Sequence, residues 1–246
     1  MKKIISAFIP LMMFSLVGCN KSSAVTYKEI SEDQFNAYYT DEKKEEAIDK
    51  LDSYSTYSVN YKSEQKFNDG KIYGTKEILQ VAENYAYDTK RNIDQTIEEP
   101  TDKTTTELVL ATFPDTSGSY CYGVVYDNLA KEKETQSLLT GEQAFNRYGY
   151  YENMLRTIEK AQVENPIATK LSDISYYKGS DGTLKVISQN STGTMVYTYV
   201  IDAKTLFLKY HSLHEEGSNY VLNQESVYKQ NIKISHKTPK DIGFEG

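Results

Sequence analysis

Met195-Val196-Tyr197-Thr198-Tyr199-Val200-Ile201 is the stretch that decides the fold class of this chain. Successive residues of a strand point to opposite faces of a sheet, so Met195, Tyr197, Tyr199 and Ile201 share one face and Val196, Thr198 and Val200 the other. Both faces are largely apolar, and β-branched and aromatic residues fill the run. That pattern predicts a strand covered on both sides and central in its sheet. Turn-forming residues punctuate the sequence on either side at Ser180-Asp181-Gly182, Ser191-Thr192-Gly193 and Gly217-Ser218-Asn219. With residues 206–213 and 220–228 continuing the pattern, the C-terminal part reads as a meander of about five strands.

Upstream the period changes. Ala144, Phe145, Tyr148, Tyr151, Leu155, Ile158 and Ala161 recur at helical spacing and form one broad apolar stripe, which predicts a helix packed on the sheet. Thr140 followed by Gln143 has the spacing of a capping box, and Asn165-Pro166 marks the stop. Ahead of this helix lies a first meander. Tyr57, Val59 and Tyr61 alternate with Ser58 and Asn60, Asn68-Asp69-Gly70 makes a hairpin turn, and Ile72, Ile78 and Val81 mark the return arm. A third strand is signalled by Tyr85 and Tyr87. Residues 98–103, with Pro100, read as a loop, and strands follow at 104–113 and 120–126 around a turn at 115–118. Two helices come first: one capped by Ser31 with Gln34 three residues on, the other over residues 41–51 after a cap at Thr40, with Ala47, Ile48 and Leu51 at helical spacing. The order predicts an α+β fold, a large antiparallel sheet of about ten strands with helices on one face, in a single domain spanning residues 29–246.

The N-terminus has a different texture. Lys2 and Lys3 precede an uncharged run from residue 4 to 17, the layout of a secretory signal and too short to span a bilayer as a helix. The run ends in Leu16-Val17-Gly18-Cys19, which resembles the lipobox of bacterial lipoproteins. The resemblance implies that residues 1–18 are a cleaved signal peptide, that the Cys19 thiol carries a diacylglyceryl group, and that residues 19–28 are the lipidated Cys and its tether. The mature domain would then stand on the extracytoplasmic face of the cell membrane, because two acyl chains suffice for stable anchoring. An ordinary signal with an incidental Cys19 is the other reading of the same residues.

Without Lys2 and Lys3, the 28 basic residues fall to 26 against 35 acidic ones, a net charge of −9. That balance argues against a nucleic-acid partner or an electrostatic hold on anionic lipid. Cys19 and Cys121 are the two cysteines, so lipidation of the first leaves no intramolecular disulfide. Cys121, between Tyr120 and Tyr122, reads as a small buried core residue.

The layout over residues 29–244 resembles the LolA and LppX group of lipoprotein carriers and lipid-binding lipoproteins. The local likeness rests on Val200-Ile201-Asp202-Ala203-Lys204-Thr205-Leu206-Phe207-Leu208-Lys209 and on Lys237-Thr238-Pro239-Lys240-Asp241-Ile242-Gly243-Phe244. The resemblance implies a strongly bent sheet, an open half-barrel, with helices packed on its concave face over an apolar cavity for lipid or acyl chains. The anchor Cys makes the chain more similar to the group's anchored members than to its soluble periplasmic carriers.

Residue chemistry points away from catalysis. His211 and His214 stand three apart, which on a strand puts them on opposite faces and makes a shared metal improbable. His236 near the end reads as solvated. The chain has no G-x-S-x-G, P-loop or H-E-x-x-H motif. Glu98-Glu99 and Glu215-Glu216 read as solvated loop carboxylates, and Asn190-Ser191-Thr192 as turn chemistry. No catalytic residue, cofactor or metal is expected. The 22 tyrosines, against 8 phenylalanines and no tryptophan, suit sheet-face packing, or a binding platform offering an apolar ring and a hydroxyl. The candidate ligand-binding residues are Phe145, Tyr148 and Leu155 on the helix and Tyr197 and Tyr199 on the strand.

The leading expectation is a membrane-anchored, non-enzymatic lipoprotein that binds or carries a lipid or other amphiphile between sheet and helices. The alternative is a cell-envelope interaction module recognising glycan or protein through a Tyr-rich surface. Cys19→Ala is expected to preserve the fold and abolish stable lipid anchoring. The check is radioactive palmitate, which should label the wild type and not the variant; an equally labelled variant would overturn the lipobox reading.

Overall fold

Turn chemistry organises the chain locally. Gly70, Gly182 and Gly193 take φ of 87°, 82° and 71°, values an L side chain resists, at three of the expected turns. The computed structural model describes residues 24–51, 56–83, 85–95, 100–111, 118–127, 132–165, 167 and 169–245. The signal segment, Cys19, Glu98-Glu99 and most of the turn at 115–118 lie outside the described residues. Chain order is β1 (Tyr27–Ile30), α1 (Glu32–Asn36), α2 (Asp41–Leu51), β2 (Thr56–Phe67), β3 (Ile72–Ala82), β4 (Tyr85–Gln95), β5 (Pro100–Ala111), β6 (Tyr120–Asp127), β7 (Glu132–Thr140), α3 (Gly141–Glu164), β8 (Asp173–Gly179), β9 (Thr183–Gln189), β10 (Met195–Asp202), β11 (Leu208–Glu216) and β12 (Tyr220–Gln230), followed by a 3-10 turn at Pro239–Ile242.

All twelve strands form one sheet in the order β1-β8-β9-β10-β11-β12-β2-β3-β4-β5-β6-β7, each neighbouring pair antiparallel. β1 and β7 are its two edges, so the sheet is open. β10 is interior, as its two apolar faces predict, between β9 and β11. The two meanders meet at β12 and β2, paired from Tyr220↔Phe67 to Gln230↔Tyr57.

The differences from the sequence expectation have local causes. Two edge strands were not anticipated, which raises the count from about ten to twelve. β1 takes in Tyr27 and Lys28, which the tether reading had claimed; β7 is a polar, mostly exposed run without period-two alternation. Residues 100–103 are strand rather than loop, with Pro100 at the first strand position, where a missing N–H is tolerated. The capping boxes at Ser31 and the cap at Thr40 form, but Thr140 makes no side-chain cap bond. It is still the last residue of β7 and keeps an extended backbone. Along α3, Ile158 is 37 % exposed and Ala161 is exposed. The helix leaves the sheet there and sends Val163 against Ala47, Leu206 and Phe207 instead.

The helices share one face. Ala144, Tyr148 and Tyr151 of α3 pack on Tyr57, Leu79, Val81, Ala86 and Cys121. Phe35 of α1 packs on Tyr176, Leu184, Val186, Tyr199 and Ile201. By strand register both sets lie on the same side of the sheet. Two buried phenols of α3 find partners: Tyr148 donates to the Ala82 carbonyl at 3.0 Å and Tyr151 to Asp88 at 3.1 Å, whereas the Tyr39 hydroxyl is buried without a hydrogen-bond partner among the described residues. Cys121 is a buried core residue, and burial pushes its thiol up to about 11.

On the opposite face the C-terminal segment runs back across the sheet. The Tyr85 ring stacks on His236 at 4.1 Å between centroids, and its hydroxyl accepts from Lys237 N–H at 2.9 Å. Ile242 packs on Val124, and Tyr126 donates to the Ile242 carbonyl at 2.6 Å.

Leu184, 0 % exposed on β9, gives the sharpest test of the core. Leu184→Ala is expected to lower unfolding free energy by about 2–5 kcal/mol in a denaturant titration. Leu138→Ala, on the edge strand and 48 % exposed, should stay within about 0.5 kcal/mol of wild type.

Candidate functional site

The central strands of the sheet are β10, β11, β12 and β2; Tyr199, Ile201, Leu208 and Tyr57 on them belong to the clusters under α1 and α3, and the strands continue past these clusters. Register places their helix-side residues in rows. One row runs Tyr199, His211, Ser226, Tyr61; the next runs Tyr197, Leu213, Gln224, Ser63 and continues to Thr75 and Asn92. Directly opposed side chains on antiparallel strands stand about 5 Å apart at Cβ, so each row is a contiguous strip.

His211 reaches this face through an irregularity. Tyr199 pairs with His211, but Ile201 pairs with Leu208, so the register shifts by one residue between Val200 and Ile201. Uninterrupted alternation from Leu208 would have put Tyr210 beside Tyr199 and turned His211 away. Three rings gather as a result. Tyr197 and Tyr199 lie 6.3 Å apart at 16°, Tyr197 and His211 6.1 Å apart at 18°, and Tyr199 and His211 4.9 Å apart at 33°.

The polar groups of the strip divide into used and unused. Tyr199 is buried; its phenol meets Thr169, and burial raises its pKa. Gln224 reaches Ser63 Oγ at 3.5 Å, and Thr75 donates to Asn92 at 3.3 Å. The Tyr197 and Tyr61 hydroxyls, the His211 nitrogens and the Ser226 hydroxyl have no hydrogen-bond partner among the described residues. Ser226 is 7 % exposed; Tyr61, Tyr197 and His211 are half-buried. Burial lowers the His211 pKa from its ordinary value, so at neutral pH the ring is uncharged, with one nitrogen donating and the other accepting.

The candidate residues expected from sequence fall into two places. Tyr197 and Tyr199 stand side by side in this strip. Tyr148 belongs to the α3 cluster, with its hydroxyl committed to Ala82. Phe145 is half-buried on α3, and the Leu155 side chain lies outside what the structure describes. Tyr148 and the Tyr197–Tyr199 pair thus belong to different clusters. His211 and His214 do project from opposite faces, as their spacing predicts: His214 pairs with Val196 and Asn223 and bonds Asn223 at 2.8 Å. Sequence reasoning did not place His211, Ser226 and Tyr61 together, because the bulge that turns His211 and the long-range β12–β2 ladder that adds Tyr61 leave no local signal.

Searches against family models and against curated proteins found no match for this chain.

The depressed pKa of His211 has a signed consequence. The native state binds fewer protons there than the unfolded chain, so this contribution to stability is present above the unfolded histidine value, about 6.5, and is lost as pH falls through the folded value. Between pH 7 and 5 the wild type should lose more stability than His211→Gln in parallel thermal melts, and the His211 ring signals in NMR should titrate below the free-histidine value.

Proposed function

We propose that this protein is a non-enzymatic binding lipoprotein of the cell envelope, held at the extracytoplasmic face by a diacylglyceryl Cys19, that recognises its ligand on the helix-side face of β10, β11, β12 and β2. The observation that carries this reading is the set of unused polar groups on Tyr197, His211, Ser226 and Tyr61, half-buried or buried beside packed aromatic rings. None of these groups is among the fully buried, unpartnered polar atoms of the described residues, so each can be hydrated in the free protein, and a ligand with polar edges and a flat apolar face would replace that water at several at once.

The sheet, in the same proposal, bends into an open half-barrel with the helices on its concave side. The support is an asymmetry along β2. Tyr61, Ser63 and Gln65 on the helix side are half-buried although they belong to no cluster packed under a helix, whereas Asn60, Lys62 and Lys66 on the other face are exposed. Bending toward the helices shields the inner residues in this way.

Carriage of an acyl chain, the expectation from the LolA and LppX resemblance, has less support. Tyr148 and Tyr151 fill the space between α3 and the sheet, and an acyl tail on the central strip would leave its polar groups unsatisfied. Two measurements separate the readings. The chain beginning at Asn20 is expected to retain no phospholipid or fatty acid in native mass spectrometry, and to sediment with isolated cell-envelope material. Tyr197→Ala combined with Tyr61→Ala should abolish sedimentation in protein that a thermal melt shows to be still folded at the assay temperature. Retained acyl ligand, or sedimentation indifferent to the double substitution, would overturn the proposal.

A further inference from the structure

We infer that the ligand of this face is an uncharged glycan; the inference rests on the recognition reading above and names its ligand class. Tyr197 and His211, both half-buried, have ring planes 18° apart on adjoining strands and are backed by the buried Tyr199, two aromatic tiles against which the C–H face of a sugar ring can lie. Around the tiles the unused groups are phenol, alcohol and neutral imidazole, each able to donate as well as accept. A sugar hydroxyl has the same dual character, so each such pair can be satisfied whichever way its hydrogen points.

Charge excludes the acidic sugars. The helix-side residues of β10, β11, β12 and β2 from Tyr199 to Ser63 carry no formal charge once His211 is neutral. Where charge begins, it is acidic or mixed: Glu77, beside Tyr61, stands opposite Lys90 across the β3–β4 pair, and Glu215 accepts from the neutral Tyr220 hydroxyl at 2.6 Å. The strip therefore holds no spare cation for a uronate, sialate or phosphate, and the acidic chain as a whole, at −7, repels them.

An extended peptide fits less well for a backbone reason. Peptides that add to a sheet take their affinity from free N–H and C=O groups at an edge. Here all four strands are interior and their ladders are occupied on both sides, so side chains are all the face offers.

The test uses the full-length lipoprotein purified in detergent, applied to an array of uncharged and acidic oligosaccharides and, in parallel, to a peptide array. Retention on uncharged oligosaccharides is expected, weakened about tenfold by Tyr197→Ala and by His211→Ala, the change in affinity for one lost ring contact or hydrogen bond. Tyr197→Phe, which keeps the ring, should bind more tightly than Tyr197→Ala. Matched melting temperatures guard against unfolding, and His211→Gln, which keeps a donor and an acceptor, supplies a second variant if His211→Ala does not fold. Retention on acidic glycans alone, or uncharged-glycan binding that ignores both substitutions, overturns the inference. Capture by peptides alone also overturns it and leaves the recognition reading standing, whereas silence on both arrays together with no envelope sedimentation removes that reading as well.

Discussion

The ladder between β12 and β2 is the constraint on which the rest of the structure depends. It joins eleven residue pairs, Tyr220↔Phe67 to Gln230↔Tyr57, and unites a meander built before α3 with one built after it. Every other neighbouring pair, apart from the short β1–β8 edge, comes from strands consecutive in sequence. The loop it closes exceeds 150 residues, yet each doubling of loop length costs only about 0.6 kcal/mol. Long-range pairing of this kind slows folding far more than it lowers stability. Once formed, it sets Tyr61 on β2 beside Ser226 on β12, which the β11–β12 hairpin already pairs with His211.

Tyrosine does two jobs in this fold. Under the helices, Tyr148, Tyr151 and Tyr176 fill space with the ring and tie the hydroxyl to Ala82, Asp88 and Glu32, while Tyr39 is buried there with its hydroxyl unpartnered among the described residues. Tyr85 on the other face does the same for the C-terminal segment. Burial with a partner explains why tyrosine can replace phenylalanine so often in a core without the penalty of an orphaned phenol. On the central strip, the hydroxyls of Tyr61 and Tyr197 are not tied down. The same residue type thus fills the core and lines the central strip.

How much of this was legible in sequence follows from the range of each signal. Period-two alternation and glycine turns act within a few residues, so β2, β3, β9, β10 and β12 could be read directly, as could the caps at Ser31 and Thr40. The edge strands were not legible. A polar run such as β7 becomes a strand only because β6 offers it a partner, and Pro100 sits in β5 because β4 is there to pair with. The apolar stripe of α3 announced a helix, but its geometry could not say that the second half would leave the sheet for α2 and expose Ile158.

The amino-acid sequence by itself determined the alternation of strands, the turns between them, the helical insert and the side of β10 on which Tyr197 and Tyr199 lie, because each is fixed by steric preferences acting between near neighbours. Only the tertiary structure decided which polar groups meet. His211 turns toward Tyr199 because a one-residue shift in the β10–β11 ladder reverses the face of every residue beyond it, Ser226 follows on the neighbouring strand β12, and Tyr61 joins them through pairing across more than 150 residues. A one-residue shift costs little energy locally and leaves no mark on hydrophobic periodicity, yet it selects which side chains share a face.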